Sequence, residues 1–146
     1  MEVIDKLFSL EKINGADRCP TYLYRWTLFK LLGRGVYLHH FIGDDWSLDL
    51  HDHPKRFISL GIKGRYVENY EEANGTRNAR MWTAPWLRSF PARHKHRLCI
   101  MPGEDCWTLV YVGKSERGWG FWHDGIYIPF RDYIGSKLAD KMKACP

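Results

Sequence analysis

The sequence predicts an all-β protein, folded as a sandwich or barrel, from two observations. Short segments rich in aromatic and β-branched residues recur through most of the chain, and glycine-containing turns separate nearly all of them. The chain also has the length of one domain, with 146 residues, and its 45% hydrophobic and 15% aromatic content is typical of a folded globular protein. We therefore expect one all-β domain over residues 1–146.

The individual elements follow from local patterns. Residues 2–12 show the apolar spacing of a short amphipathic helix, which Cys19-Pro20 would end. Residues 131–144 read as a C-terminal helix, because Ile134, Leu138 and Met142 recur at helical spacing. Between them we predict ten strands, over residues 22–32, 36–42, 46–52, 56–62, 66–71, 80–84, 87–90, 96–101, 107–112 and 118–122.

Charge and cysteine content narrow the function classes. The net charge of +5 suits an anionic ligand, but no helix-turn-helix, RNA-binding motif or basic tail is present, so nucleic acid is not a favoured partner. The four cysteines form no CxxC pair, and no segment reads as a secretory signal or a membrane span. These features predict a cytosolic protein with free thiols and no membrane contact.

The histidines give the sharpest signal. His51 and His53 form one His-x-His pair, and His94 and His96 form another. On a strand, residues i and i+2 point to the same face, roughly 7 Å apart, so two such imidazoles can converge on one ion. Asp52 lies between two candidate ligands and should point away from them, as a structural or supporting group.

The surroundings of these pairs carry a family resemblance. The segment from His51 to Gly64 resembles the first cupin motif, G(X)5HXH(X)3-4E(X)6G, and Pro91 to His96 resembles the second, PXG(X)2H. The phrase HDHP with a later HR and WGF is also similar to short cupin-like proteins of bacteria and phages. The resemblance implies a cupin-type double-stranded β-helix, that is, a jelly-roll barrel, with metal ligands His51, His53 and His96. It also implies a homodimer formed through sheet edges.

The chain departs from the family pattern at two ligand-related positions. Phe57 and Ile58 stand where the family has its glutamate, and Arg93 replaces the glycine of the second motif. The expected site is therefore a three-histidine one, which His94 or the carboxylate of Glu68 could complete. Imidazole ligands accept several divalent metals, so we expect iron(II) first and leave zinc, nickel or manganese open.

A metal held by three histidines keeps positions open for oxygen, water or a substrate. We expect a small anionic or aromatic molecule there, because arginine presents a planar fork to carboxylate or phosphate. A small-molecule oxygenase is the first functional prediction. A metal-dependent sugar or nucleotide-sugar isomerase or epimerase, and a non-catalytic binding or regulatory protein, stay open. The catalytic candidates are Tyr66, Arg97 and His94, and the substrate-binding candidates are Arg56, Arg93 and Glu68.

Overall fold

A computed structural model of the chain describes residues 9–146. This part of the chain contains eleven strands and two short helices. The strands are β1 (Leu10–Ile13), β2 (Leu23–Leu31), β3 (Arg34–Phe41), β4 (Leu50–His51), β5 (Lys55–Glu71), β6 (Arg77–Thr83), β7 (Trp86–Phe90), β8 (His96–Cys99), β9 (Cys106–Ser115), β10 (Gly120–His123) and β11 (Ile126–Pro129). The helices are α1 (Phe130–Ile134) and α2 (Lys137–Lys141).

The strands form two layers of an all-β jelly roll. One layer has the order β1-β2-β3-β9-β5 with β7 on the other side of β5, and the other contains β5-β8-β4-β10-β11 with β6. All of these pairs are antiparallel. Side chains alternate along each strand, so β9 buries Cys106, Thr108 and Val110 while the residues between them are less buried. The all-β jelly-roll prediction is confirmed.

The strand β5 joins the two layers. Its first half pairs with β9 and β7, and its second half pairs with β8 and β6. The sequence predicts two strands here, separated by a turn at Lys63-Gly64; instead the chain continues as one strand of 17 residues. Gly64 has a φ of +85°, and the carbonyl of Asp105 lies against it so closely that no Cβ would fit. The glycine therefore serves a bend and a close approach rather than a chain reversal.

Both predicted terminal helices need correction. The predicted helix over residues 2–12 lies in part outside the described residues, and Leu10–Ile13 is a strand that pairs with β2. At the C-terminus the apolar spacing holds, but Gly135 and Ser136 divide the segment into α1 and α2. The Ser136 side chain accepts a hydrogen bond from the backbone N–H of Ala139, which caps the second helix.

The prediction of four free thiols is wrong for two of them. Cys19 and Cys145 form a disulfide across 126 residues of sequence, while Cys99 and Cys106 are free. Sequence spacing could not show this pair, because the folding of the whole barrel brings the two ends of the described chain together. None of the helices within residues 9–146 is long and apolar enough to span a membrane. The cytosolic location stays a prediction. The disulfide removes one of its arguments, which was that all four thiols are free.

Candidate metal centre

Three histidines from neighbouring strands meet inside the barrel. His51 ends β4 and pairs directly with His96, the first residue of the antiparallel strand β8. His53 follows β4 by two residues, and its ring centroid lies 5.2 Å from that of His51 and 4.8 Å from that of His96. One nitrogen from each of the three rings lies within 4.8 Å of the others. The fold thus brings together the three histidines that the two sequence motifs predict as metal ligands.

Asp52 holds the backbone between the first two histidines. Its carboxylate is buried and accepts hydrogen bonds from the backbone N–H of Gly120 at 2.8 Å and the indole N–H of Trp122 at 3.0 Å. Arg117 forms an ion pair with the same carboxylate at 2.8 Å. These contacts use the carboxylate on the side away from the ring cluster, so Asp52 supports the site without lining it.

Glu68 is the centre of the polar network beneath the histidines. The side chain is only 1% exposed, and its Oε2 accepts from His96 Nδ1 at 2.6 Å and from His94 Nε2 at 3.0 Å. Its Oε1 accepts from Arg88 Nη2 at 2.7 Å. A carboxylate that accepts a hydrogen bond from Nδ1–H of a histidine leaves Nε2 with a free lone pair and fixes the ring, which is the usual support for a metal-bound histidine.

The charge states of these groups follow from their surroundings. Burial alone would raise the pKa of Glu68, but the hydrogen bonds from His94, His96 and Arg88 outweigh it and hold the pKa well below its ordinary value. Burial lowers the pKa of His51 to about 4, against an opposing effect of Asp45. Burial also lowers the pKa of His53 well below its usual range. An anionic support beside neutral imidazoles is the protonation pattern that metal binding requires.

An unsatisfied atom marks the site as suited to a cation. Among the described residues, Nδ1 of His53 is buried and has no hydrogen-bond partner. Buried polar atoms without a partner are rare because each costs about 1–3 kcal/mol. Three imidazoles that converge on one place, one with an unpartnered nitrogen, fit a divalent metal of the imidazole-preferring kind.

A second group could also be considered, since Glu68, His94 and His96 bring ligand atoms equally close together. In that group Glu68 Oε2 already accepts from both rings, and its other oxygen is bound to Arg88. A metal there would have to displace these hydrogen bonds. The geometry therefore favours His51, His53 and His96 as the ligands, with Glu68 and His94 behind them.

His51, His53 and His96 open onto a cavity of about 430 Å³ between the two layers. Its wall is mostly apolar and aromatic, and its two cationic side chains within the described chain are Arg25 and Lys55. Further lining residues are His39, Tyr37, Phe41, Asp45, Trp46, Phe57, Leu98, Val110, Trp119 and Phe121. A volume of this size is typical of a small-molecule site.

The other sequence candidates divide into two groups. Tyr66 is buried beside the network, where its hydroxyl accepts a hydrogen bond from Arg88 at 3.2 Å. Arg97 points away from His96 along β8 and donates to the carbonyl of Ser47 at 2.7 Å. Arg56 and Arg93 are exposed and do not line the cavity. Glu68 and His94 therefore contact the histidine cluster, Tyr66 is joined to it only through Arg88, and none of the six candidates lines the cavity.

Two other arginines lie at the site. Arg88 donates a hydrogen bond to Glu68, and Arg25 lines the cavity. Arg88 lies in the basic segment before the second motif, and its guanidinium also stacks on Trp82 at 3.6 Å from the ring centroid. Its inward direction follows from alternation along β7, where Trp86 and Phe90 are buried with it. That alternation is the signal that could have identified Arg88. Arg25 had no comparable signal in its own segment.

Comparison with known proteins supports the fold. No family model matches the sequence, and no curated protein matches it. Among solved structures, the polyketide cyclase RemF from Streptomyces resistomycificus matches with a TM-score of 0.60 and 10% identity, over 83% of this chain and 84% of that one. Oxalate decarboxylase from Lactobacillus farciminis, as a formate complex, matches with a TM-score of 0.56 and 14% identity. The iron(II) form of HppE also has a TM-score of 0.56, with 6% identity.

This chain has the cupin fold. It covers 31% of the oxalate decarboxylase chain and 57% of the HppE chain, with 75% and 72% of its own length aligned. At such low identities the likeness concerns the fold alone.

Proposed function

We propose that this cupin is a metal-dependent enzyme that acts on a small molecule, with His51, His53 and His96 as the metal ligands. The observation that carries the proposal is the convergence of these three rings above a buried carboxylate, Glu68, that accepts a hydrogen bond from Nδ1–H of His96.

An iron(II) oxygenase is the version of this function that we favour. A set of three imidazoles leaves coordination positions open, and a divalent metal bound there would supply a site for dioxygen and substrate. The cavity beside the histidines is largely apolar, which suits the apolar body of a small substrate. The iron(II) form of HppE is among the fold neighbours, which shows that this fold accommodates such a metal in that protein.

The chain's own residues would divide the remaining tasks. Glu68 and Arg88 hold His96 in one orientation, and His94 adds a second donor to the same carboxylate. Tyr66 is joined to this network through Arg88. Burial raises the pKa of the Tyr66 hydroxyl well above its ordinary value, so it stays protonated at neutral pH and serves as a hydrogen-bond donor or acceptor.

The first experiment measures metal content. The protein is purified without added metal, as wild type and as His51→Ala and His96→Ala, and analysed by inductively coupled plasma mass spectrometry. His40→Ala is the matched control, because His40 stacks on Trp107 at 3.9 Å and pairs with Asp105, away from the cluster. We expect metal in the wild type and the control and its loss in both ligand variants. Full metal content in His51→Ala and His96→Ala would refute the site.

A second measurement separates the oxygenase from the other functions. The metal-free protein is loaded with iron(II) without oxygen, and dioxygen uptake is followed with small acidic and aromatic molecules. We expect uptake that depends on both substrate and iron. Turnover of a sugar or nucleotide sugar without dioxygen uptake would replace the oxygenase by an isomerase or epimerase. Full activity after chelation would exclude a metal-dependent reaction altogether.

A further inference from the structure

The cavity wall contains a polar pair, Arg25 and His39, apart from the three histidines of the candidate metal site. Arg25 on β2 and His39 on β3 lie directly opposite each other in the strand register, and both line the cavity. The Nε–H of Arg25 donates to Nε2 of His39 at 3.1 Å. His39 must therefore accept through that nitrogen and carry its proton on Nδ1. Burial and the nearby guanidinium lower the pKa of His39 well below its ordinary value, in agreement with a neutral acceptor.

The remaining nitrogens of Arg25 have no strong partner within residues 9–146. The nearest carboxylate oxygen, Oε2 of Glu11, is 4.0 Å from Nη1, and the Glu11 side chain is 51% exposed. The guanidinium carbon lies 5.7 Å from the ring centroid of Tyr37. With Nε fixed by His39, the two terminal nitrogens are left as a planar pair of donors at the cavity wall. Such a pair matches the two oxygens of a carboxylate.

The rest of the cavity wall indicates what the carboxylate would be attached to. Phe41, Phe57, Phe121, Trp119 and Leu98 contribute aromatic and aliphatic surface between the arginine and the histidine cluster. Surface of this kind binds an apolar body. A doubly charged inorganic anion would gain nothing from these rings.

We propose that Arg25, oriented by His39, binds the carboxylate of a small aromatic acid whose body lies in the cavity and extends towards the three histidines. This substrate class deepens the proposed function and rests on it for the reaction, but the binding itself needs no metal. Arg25 is the residue that touches the ligand, and His39 is a positioning residue. Glu11 is a weak internal competitor at the mouth.

Binding to the metal-free protein tests the proposal. Titration calorimetry or ligand-observed NMR compares benzoate, phenylacetate and phenylpyruvate with neutral benzyl alcohol and with inorganic phosphate. We expect at least one of the aromatic acids to bind more tightly than benzyl alcohol and phosphate. In Arg25→Gln its Kd should rise about tenfold or more, the effect of losing a charged hydrogen-bonded pair, while the affinity for benzyl alcohol stays unchanged. Arg56→Gln is the matched control, since it removes an exposed arginine, and it should bind like the wild type.

Two further variants separate positioning from structure. His39→Gln keeps a side-chain acceptor for Arg25 Nε and should retain most of the affinity, whereas His39→Leu should lose it. Arg25→Lys keeps the charge without the fork and should fall between wild type and Arg25→Gln. Circular dichroism and the thermal midpoint verify that each variant folds.

Several outcomes would overturn the proposal: no binding of any aromatic acid at millimolar concentration, equal losses in Arg25→Gln and Arg56→Gln, or phosphate bound as tightly as the acids. The metal analysis is independent of this result. Acid binding through Arg25 in a protein without a metal site would refute the proposed function and leave this inference standing. A metal site without acid binding would do the reverse.

Discussion

At the scale of single residues, the buried carboxylate of Glu68 is the strongest support for a metal site at the histidine cluster. A carboxylate that is 1% exposed would be costly in a core, yet here every hydrogen bond it receives comes from a histidine or an arginine. His96 contacts it directly, and its ring also belongs to the ligand cluster. The residue therefore links the charge balance of the core to the orientation of a candidate ligand.

Glu68→Gln should weaken metal binding while leaving the three ligand histidines in place. The amide is a weaker acceptor for His96 Nδ1–H and removes the negative charge that balances the bound cation, so we expect a loss of about 10–100-fold in affinity. Competition with a chromophoric zinc chelator measures it. Glu71→Gln is the control, because Glu71 lies on the same strand but pairs with Lys95 at 3.0 Å. An unchanged affinity in Glu68→Gln would separate this carboxylate from the metal.

The residues of the site differ in how far sequence could predict them. His51, His53 and His96 have a recognisable spacing, and the fold brings them together. The role of Glu68 depends on the pairing of β5 with β8, a long-range register that no local pattern contains. The place of Arg25 in the cavity wall depends likewise on which face of β2 its side chain occupies. A bulge between Thr27 and Phe29 interrupts the alternation of faces along this strand.

At the scale of elements, the long strand β5 shows where local signals mislead. A glycine between two β-like segments usually marks a turn, and on that ground the sequence predicts a turn at Gly64. In the structure the same glycine allows one strand to bend from the first layer into the second, past the carbonyl of Asp105. The sequence predicts both halves of this strand, but their continuity depends on partners on other strands.

Gly64→Ala should destabilise the barrel. A Cβ would meet the backbone of Asp105 and would also require an unfavourable positive φ, so we expect the free energy of unfolding to fall by about 2–4 kcal/mol. Urea denaturation followed by tryptophan fluorescence measures this change. Gly103→Ala is matched in backbone conformation, with φ +77°, but nothing lies within 4 Å of its added Cβ, so it should cost only about 1 kcal/mol. Similar losses in the two variants would show that the close approach is unimportant.

At the scale of the whole molecule, the jelly roll could be predicted because it depends on the number, spacing and alternation of strands. The closure of the chain ends could not, because it depends on contacts between residues that are far apart in the sequence. Cys19 and Cys145 join the segment before β2 to the segment after α2, and the backbone N–H of Ala144 also bonds to the carbonyl of Trp46. The homodimer expected from the family resemblance stays a prediction.

The disulfide should contribute measurably to the stability of the whole fold. A link that encloses 126 residues restricts the unfolded chain strongly, so Cys145→Ser should lower the free energy of unfolding by about 2–4 kcal/mol. Urea denaturation with and without dithiothreitol measures it, and the reductant should affect the wild type but not Cys145→Ser. Cys99→Ser, which removes a free thiol, should keep the full response to reductant. A wild type that is equally stable with and without dithiothreitol would refute a stabilising role of the disulfide and would again favour a reducing compartment. A strong dependence on the reductant would favour an oxidising compartment, because reduced thiols predominate in the cytosol.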